Sequence, residues 1–94
     1  MVNSFLATKV AFVNEFYEIS QLYGVDWHKV REGWLLDERI GRSFSSVFAN
    51  SRGFGGKCLP KDVNVIAAAS EANGYIPKLL KRILDSNSYF QSKK

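Results

Sequence analysis

The stretch Ser4–Tyr23 contains neither proline nor glycine, and its apolar residues recur at helical spacing. They fall on two overlapping stripes. Leu6, Val10, Val13 and Tyr17 make one; Phe5, Phe12, Phe16, Ile19 and Tyr23 make the other. Together the stripes cover more than half of the helix surface, whereas a helix on the surface of a domain needs an apolar face of only about 100°. Burial on two sides is therefore expected, one side by the chain's own core and the other by a second subunit. Asn3 or Ser4 can cap the start of this helix, and Gly24 suits the position just past its end.

The rest of the chain reads as three shorter helices and one long loop. Asp26 is a suitable N-cap for a helix in which Trp27, Val30 and Trp34 share a face, ending near Leu36. From Asp37 to Leu59 the chain is rich in Gly, Ser, Arg and Asn, a loop of about 20 residues, and loops of that length within a small domain are commonly functional. A third helix is expected from Pro60, with Val63, Ile66, Ala67 and Ser70 on one face and a stop at Asn73-Gly74. Pro77 opens a fourth, with Leu79, Leu80, Ile83, Leu84 and Phe90 facing inward, and Gln91 to Lys94 are expected to fray. No period-two segment of useful length occurs. The fold class expected is all-α, one domain over residues 1–94.

Composition narrows the classes of function. Hydrophobic residues make up 46% and charged residues 23% of the chain, which describes a folded domain rather than a disordered segment. The formal charge of +4 is dispersed, so it reads as a solvated face and no nucleic-acid partner is expected. No apolar run reaches the length of a membrane span and no signal-peptide pattern opens the chain, so no membrane partner is expected and the setting is read as cytoplasmic. One cysteine and one histidine cannot build a structural zinc site, and no metal is expected. Thirteen aromatic residues, two Trp, four Tyr and seven Phe, again argue for buried surface beyond that of a lone domain.

The chemistry concentrates before the third helix, in Gly53-Phe54-Gly55-Gly56-Lys57-Cys58-Leu59-Pro60-Lys61-Asp62. Cys58 precedes a helix start, where free N–H groups and the helix dipole favour a thiolate, and Lys57 and Lys61 add cations. Those conditions lower a cysteine pKa and make the sulfur nucleophilic. Asp62 follows within the first turn, where it can hold or deprotonate a water, and the glycines permit close approach of backbone to a ligand. A lone cysteine is also commonly a small buried apolar residue, so the residues alone leave both readings open. A phosphate-binding P-loop is excluded: that motif needs Ser or Thr after the lysine and glycine six positions before it, where Cys58 and Ser51 stand.

This segment resembles the active-cysteine motif of the UDP-glucose/GDP-mannose dehydrogenase family. Two further blocks agree in order and spacing: Asn3-Ser4-Phe5-Leu6-Ala7-Thr8-Lys9-Val10 through Asn14-Glu15, and Asp37-Glu38-Arg39-Ile40-Gly41. The resemblance implies the family's central dimerisation domain, with a fold like the C-terminal domain of 6-phosphogluconate dehydrogenase and a homodimer formed through the Ser4–Tyr23 helix. It implies Cys58 as nucleophile, Asp62 and Asn3 as the groups that hold water and oxyanion, and Phe44, Phe54 and Gly55 as walls of a nucleotide-sugar pocket. Arg39 would reach the partner's substrate, and Lys61 is the candidate contact to the cofactor. The cofactor implied is NAD, held by a Rossmann domain for which no Gly-x-Gly-x-x-Gly following a strand is found here. Phe54 and the Leu-Pro-Lys-Asp run favour the UDP-glucose branch over enzymes of GDP-mannose or UDP-N-acetylhexosamines. The family's lysine, four residues before the matched asparagine, would precede Met1. An isolated domain, inactive alone and with its glycine loop mobile without ligand, is the expectation; a non-catalytic dimerisation module is the alternative.

Overall fold

The structure, a computed structural model, describes residues 1–49, 51–56 and 58–93; the side chain of Cys58 lies outside the described residues. Four helices follow in order: α1 (Val2–Leu22), α2 (Trp27–Trp34), α3 (Cys58–Ala72) and α4 (Lys78–Gln91). No strand occurs among the described residues, and the only ladder-like pairing there is an isolated bridge between Phe48 and Ser51. The all-α expectation holds.

Helix α1 is the spine, about 31 Å long at 1.5 Å per residue. It packs against α3 and α4, which also touch each other, and against the short α2. Small residues make the approach close: Ala7 and Ala11, one turn apart, are buried in a cluster with Val10, Phe54, Val63, Ile83 and Phe90. Leu59, Leu80 and Leu84 close it from the side. Towards its C-terminal half α1 contributes Val13 and Phe16 to a second apolar seam with Trp27, Val30 and Trp34 of α2. Trp27 is buried, and the two tryptophans are thus packing residues, as expected. Asp26 caps α2 by accepting the His28 N–H at 3.0 Å. Gly24 and Gly74, at φ 67° and 89°, supply the left-handed residue that ends α1 and α3.

Several boundaries differ from expectation, each for a local reason. Helix α1 starts at Val2 with Met1 at its cap and no side-chain cap bond, because the Asn3 carboxamide is engaged elsewhere and Ser4 lies inside the helix. Helix α3 starts at Cys58 rather than Pro60. A proline in the third helical position costs no hydrogen bond, since the first four N–H groups of a helix have no intrahelical acceptor. Pro77 is the cap of α4 and not its first residue; its carbonyl accepts the Lys81 N–H at 3.0 Å. Gln91 does not fray, because its side chain donates to the Phe54 carbonyl at 2.8 Å. Ile66 and Leu79, expected inside, are exposed. Leu79 lies along an open groove between α1 and α4 beside Phe12, and Ile66 along a crevice with Met1 and Val65.

The apolar surface of α1 divides as its two stripes do. Val10 and Val13 are buried, whereas Phe5, Phe12, Phe16, Ile19 and Tyr23 remain 67%, 50%, 41%, 39% and 73% exposed. Phe12 and Phe16 stack on each other with centroids 4.8 Å apart, outside the core. Val63 is fully buried where α3 meets α1, so Val63→Ala is expected to cost about 2 kcal/mol through lost burial and the cavity left behind. For a chain of this size that lowers the thermal midpoint by about 10 °C, read by circular dichroism.

Candidate functional site

The loop between α2 and α3 is held at several points by polar bonds to the helices. The Arg39 turn comes first: the Asp37 carboxylate accepts the Arg39 backbone N–H at 2.9 Å and its side chain at 3.0 and 2.7 Å. Lys9 of α1 donates to the Gly41 carbonyl. Arg31 of α2 donates to both the carbonyl and the hydroxyl of the buried Ser45 at 3.1 Å. Phe44, just before it, has φ 58°, a left-handed conformation unusual for a bulky residue.

Next the chain enters the core at Arg52. Its guanidinium donates through Nε to Asn14 Oδ1 at 2.6 Å and through Nη2 to the Asn14 carbonyl at 3.2 Å. It also meets Glu18 at 3.3 Å and lies over the rings of Tyr17 and Phe90, 4.6 and 5.4 Å from their centroids. Gly53 donates its N–H to the same Asn14 oxygen at 3.2 Å. Phe54 then exchanges two bonds with Asn87 of α4, donating its N–H at 2.6 Å and accepting at 2.9 Å.

These anchors shape a cavity of about 410 Å³. Phe44, Phe48, Phe54, Gly55 and Leu59 line it, with Val10 and Asn14 of α1 at its base. That volume lies within the roughly 300–1,000 Å³ usual for small-molecule sites. Three of the residues expected at a pocket wall, Phe44, Phe54 and Gly55, are brought together here. Phe54 belongs to the core cluster as well as to the cavity wall. It is only 3% exposed, and both its backbone polar groups are already bonded, so it supports the wall rather than offering a ligand contact. Within the glycine loop, Arg52, Gly53 and Phe54 are hydrogen-bonded to α1 and α4.

Asn3 and Asp62 meet as a pair at the start of α3. Asn3 Nδ2 donates to Asp62 Oδ2 at 2.7 Å across 59 positions of sequence. Because α3 begins at Cys58, Asp62 is its fifth residue and belongs to the second turn, too far along to be a partner of the helix dipole. It opens on a crevice with Met1, Ser4, Val65, Ile66 and Leu80, while Leu59, one turn earlier, faces the aromatic cavity. The first two turns of α3 thus connect the two openings. Cys58 is the first residue of α3 by its backbone. Its side chain and all of Lys57 lie outside the described residues, and so do the thiolate and its lysine neighbour expected there.

Arg39 and Lys61 do not join this group. Arg39 is directed to Asp37, its side chain 86% exposed, and Lys61 is exposed on α3. The side-chain bond to Arg39, helped by the backbone bond, holds the Asp37 carboxyl below its usual range and raises Arg39. A carboxyl lowered on folding stabilises above its unfolded pKa and loses that contribution as pH falls through the lowered value. On so exposed a pair the effect is small. Among the described residues no group of three His, Cys, Asp or Glu is arranged to hold a metal ion, and no helix is long and apolar enough to cross a membrane.

Sequence reasoning missed Phe48, Asn14, Arg52, Asn87 and Gln91. A signal existed: Asn14 follows Val10 by one turn, and Asn87 stands between Ile83 and Phe90, each an amide on an otherwise apolar stripe. Buried amides of that kind have hydrogen-bond partners.

Three helices around the α1 spine, a glycine loop feeding the start of a helix, and an Asn–Asp pair beside it define a helical domain with a candidate ligand site. Comparison with known proteins gives its family. Residues 1–89 match the central domain of the UDP-glucose/GDP-mannose dehydrogenase family, and the chain belongs to that family. It is 40% identical over 85 residues to the UDP-glucose 6-dehydrogenase TuaD of Bacillus subtilis, which covers 90% of this chain and 18% of that protein. It is 42% identical over 85 residues to the UDP-glucose 6-dehydrogenase AglM of Haloferax volcanii, covering 90% and 19%. It is 41% identical over 86 residues to a UDP-glucose 6-dehydrogenase of Pseudomonas aeruginosa, covering 92% and 18%. The chain spans less than a fifth of the length of these curated relatives.

The loop geometry ranks two glycines. At Gly53, φ 75°, an added Cβ would overlap Asn87 Oδ1 and crowd Phe90 and Gln91 at 3.3 Å; at Gly56, φ 80°, it would meet nothing. Gly56→Ala is expected to cost about 1 kcal/mol from backbone strain alone, and Gly53→Ala about 3 kcal/mol or more once the Asn87 bonds are displaced. Urea denaturation of the two variants checks the order.

Proposed function

We propose that the chain acts as the central domain of a UDP-glucose 6-dehydrogenase, supplying the nucleophile, the water-holding pair and the dimer interface for oxidation of UDP-glucose to UDP-glucuronate. The observation that carries this reading is the Asn3–Asp62 pair beside the start of α3, whose first residue is Cys58. Family membership supports it, as do relatives named UDP-glucose 6-dehydrogenase.

In this reading the Cys58 thiolate adds to the C6 aldehyde of the sugar and forms a C–S bond, which splits one hard step into easier ones. Once that carbon stands at the acyl level, water adds to it. Asn3 holds Asp62 Oδ2, leaving Oδ1 to accept the water's hydrogen bond and take its proton as the C–S bond breaks and the thiolate leaves. The cavity walled by Phe44, Phe48 and Gly55 receives the nucleotide sugar. Arg39 serves the partner subunit's substrate, in keeping with its exposure and with its not lining this chain's own cavity. Oxidation requires a hydride acceptor, NAD in this reading. The described residues do not build a site for it: no strand precedes a glycine turn, and Lys61 stands alone on an exposed face.

The exposed Phe5, Phe12, Phe16, Ile19 and Tyr23 stripe favours pairing of two copies along α1. Sedimentation velocity over a range of concentrations tests it. A dimer is expected, with Phe16→Glu shifting it to monomer; a folded wild-type chain that stays monomeric throughout would count against the interface.

For the catalytic reading, residues 1–89 are set into the corresponding segment of the Bacillus subtilis relative, and NAD reduction with UDP-glucose is followed at 340 nm. The chimera is expected to turn over, and the 94-residue chain alone is not. Cys58→Ala should lower the chimera's rate by about a thousandfold or more, and Asn3→Ala by about 10- to 100-fold. Undiminished turnover by Cys58→Ala would sink the assignment.

A further inference from the structure

We propose that Arg52, Asn14 and Asn87 form a latch that fixes the glycine loop at the cavity before any ligand arrives, so that they are positioning residues for substrate binding. The inference rests on the reading above that this cavity takes a nucleotide sugar.

The argument begins with what is bonded to what. Asn14 is 2% exposed and Asn87 6% exposed. Each contributes one side-chain oxygen that accepts a loop N–H, Asn14 from Gly53 and Asn87 from Phe54. Consecutive loop amides are thereby tied to two different helices, α1 and α4. Asn14 is itself oriented by donating to the Val10 carbonyl at 2.9 Å, so its oxygen must face the loop. Arg52 sets the same oxygen from the other side through Nε, and its guanidinium plane is held between Tyr17 of α1 and Phe90 of α4. Glu18, which pairs with Arg52, also accepts the Tyr89 hydroxyl at 2.9 Å. Together these bonds link the spine, the loop and the last helix.

The latch lies directly behind the cavity wall. Asn14, Gly53 and Phe54 line the cavity, yet Arg52 and Asn87 do not. Their effect on a ligand must pass through the loop they hold. A wall that is already in place spares the ordering cost a floppy loop would incur on binding. Gly53 suits this role because its close approach to Asn87 and Phe90 leaves no space for a side chain.

Amide hydrogen exchange on the 94-residue chain without ligand reads the latch directly. Arg52→Lys keeps a charge for Glu18 but removes the guanidinium fork and its stacking. The Gly53 and Phe54 amides are expected to exchange about tenfold faster, while core amides of Val13 and Val63 change by less than about twofold. Equal acceleration at all four would make Arg52 a general stability residue, and no acceleration at Gly53 and Phe54 would remove the latch; either result overturns the proposal. Should Arg52→Lys fail to fold, Asn87→Ser is judged on the Phe54 amide by the same criterion. In the active chimera, Arg52→Lys should raise KM for UDP-glucose about tenfold, with kcat and KM for NAD within about twofold. A fall in kcat at unchanged KM would overturn the positioning role. An inactive chimera would defeat the functional reading instead, and the exchange data would still decide the latch.

Discussion

The guanidinium of Arg52 is buried between Tyr17 and Phe90, with Glu18 and Asn14 as its polar partners. Leaving such a charge without its partners costs roughly 3–5 kcal/mol, so the loop around Arg52 has one low-energy way to enter the core. From that point the neighbouring geometry follows. Gly53 reaches Asn14, Phe54 reaches Asn87, and the Phe54 ring fills the space between α1, α3 and α4. The loop is thereby part of the hydrophobic core as much as a cover over it. The aromatic cavity exists because the chain from Arg52 to Phe54 is drawn inward while Phe44 and Phe48 stay at the surface.

A second constraint is size. A domain of this length has a thin core, and α1 carries more apolar surface than three short helices can cover. The core takes the stripe with Ala7, Val10, Ala11 and Val13, whose small side chains let α3 and α4 approach. The larger aromatic residues on the other stripe stay outside, where Phe12 and Phe16 rest on each other. Volume explains the division: close helix packing favours small residues at the contact, and the bulky rings are left exposed. The same helix thus presents Asn3 near its start, Asn14 to the loop and its rings outward.

The polar residues of the candidate site are distributed over parts that only folding brings near one another. Asn3 and Asp62 lie on different helices and meet because α1 and α3 pack side by side. Asp37 and Arg39, two residues apart, pair locally and stay away from the cavity.

Much of this was legible in the amino-acid sequence. The helical periods, Asp26 as a cap, Gly24 and Gly74 as stops, and the two stripes of α1 are local properties, set by interactions within a turn or two of the chain. The glycine–cysteine motif, with its matching blocks, identified the family for the same reason, since residue types at fixed spacing need no coordinates. What tertiary structure decided is everything that depends on who comes near whom. It moved the start of α3 to Cys58, drew Asn3 from a cap to Asp62, and made Phe54 a core residue. It also recruited Asn14, Asn87 and Gln91 to hold the loop. A buried amide finds its partner by position in space, and spacing along the chain does not encode which of many distant backbone groups that partner will be.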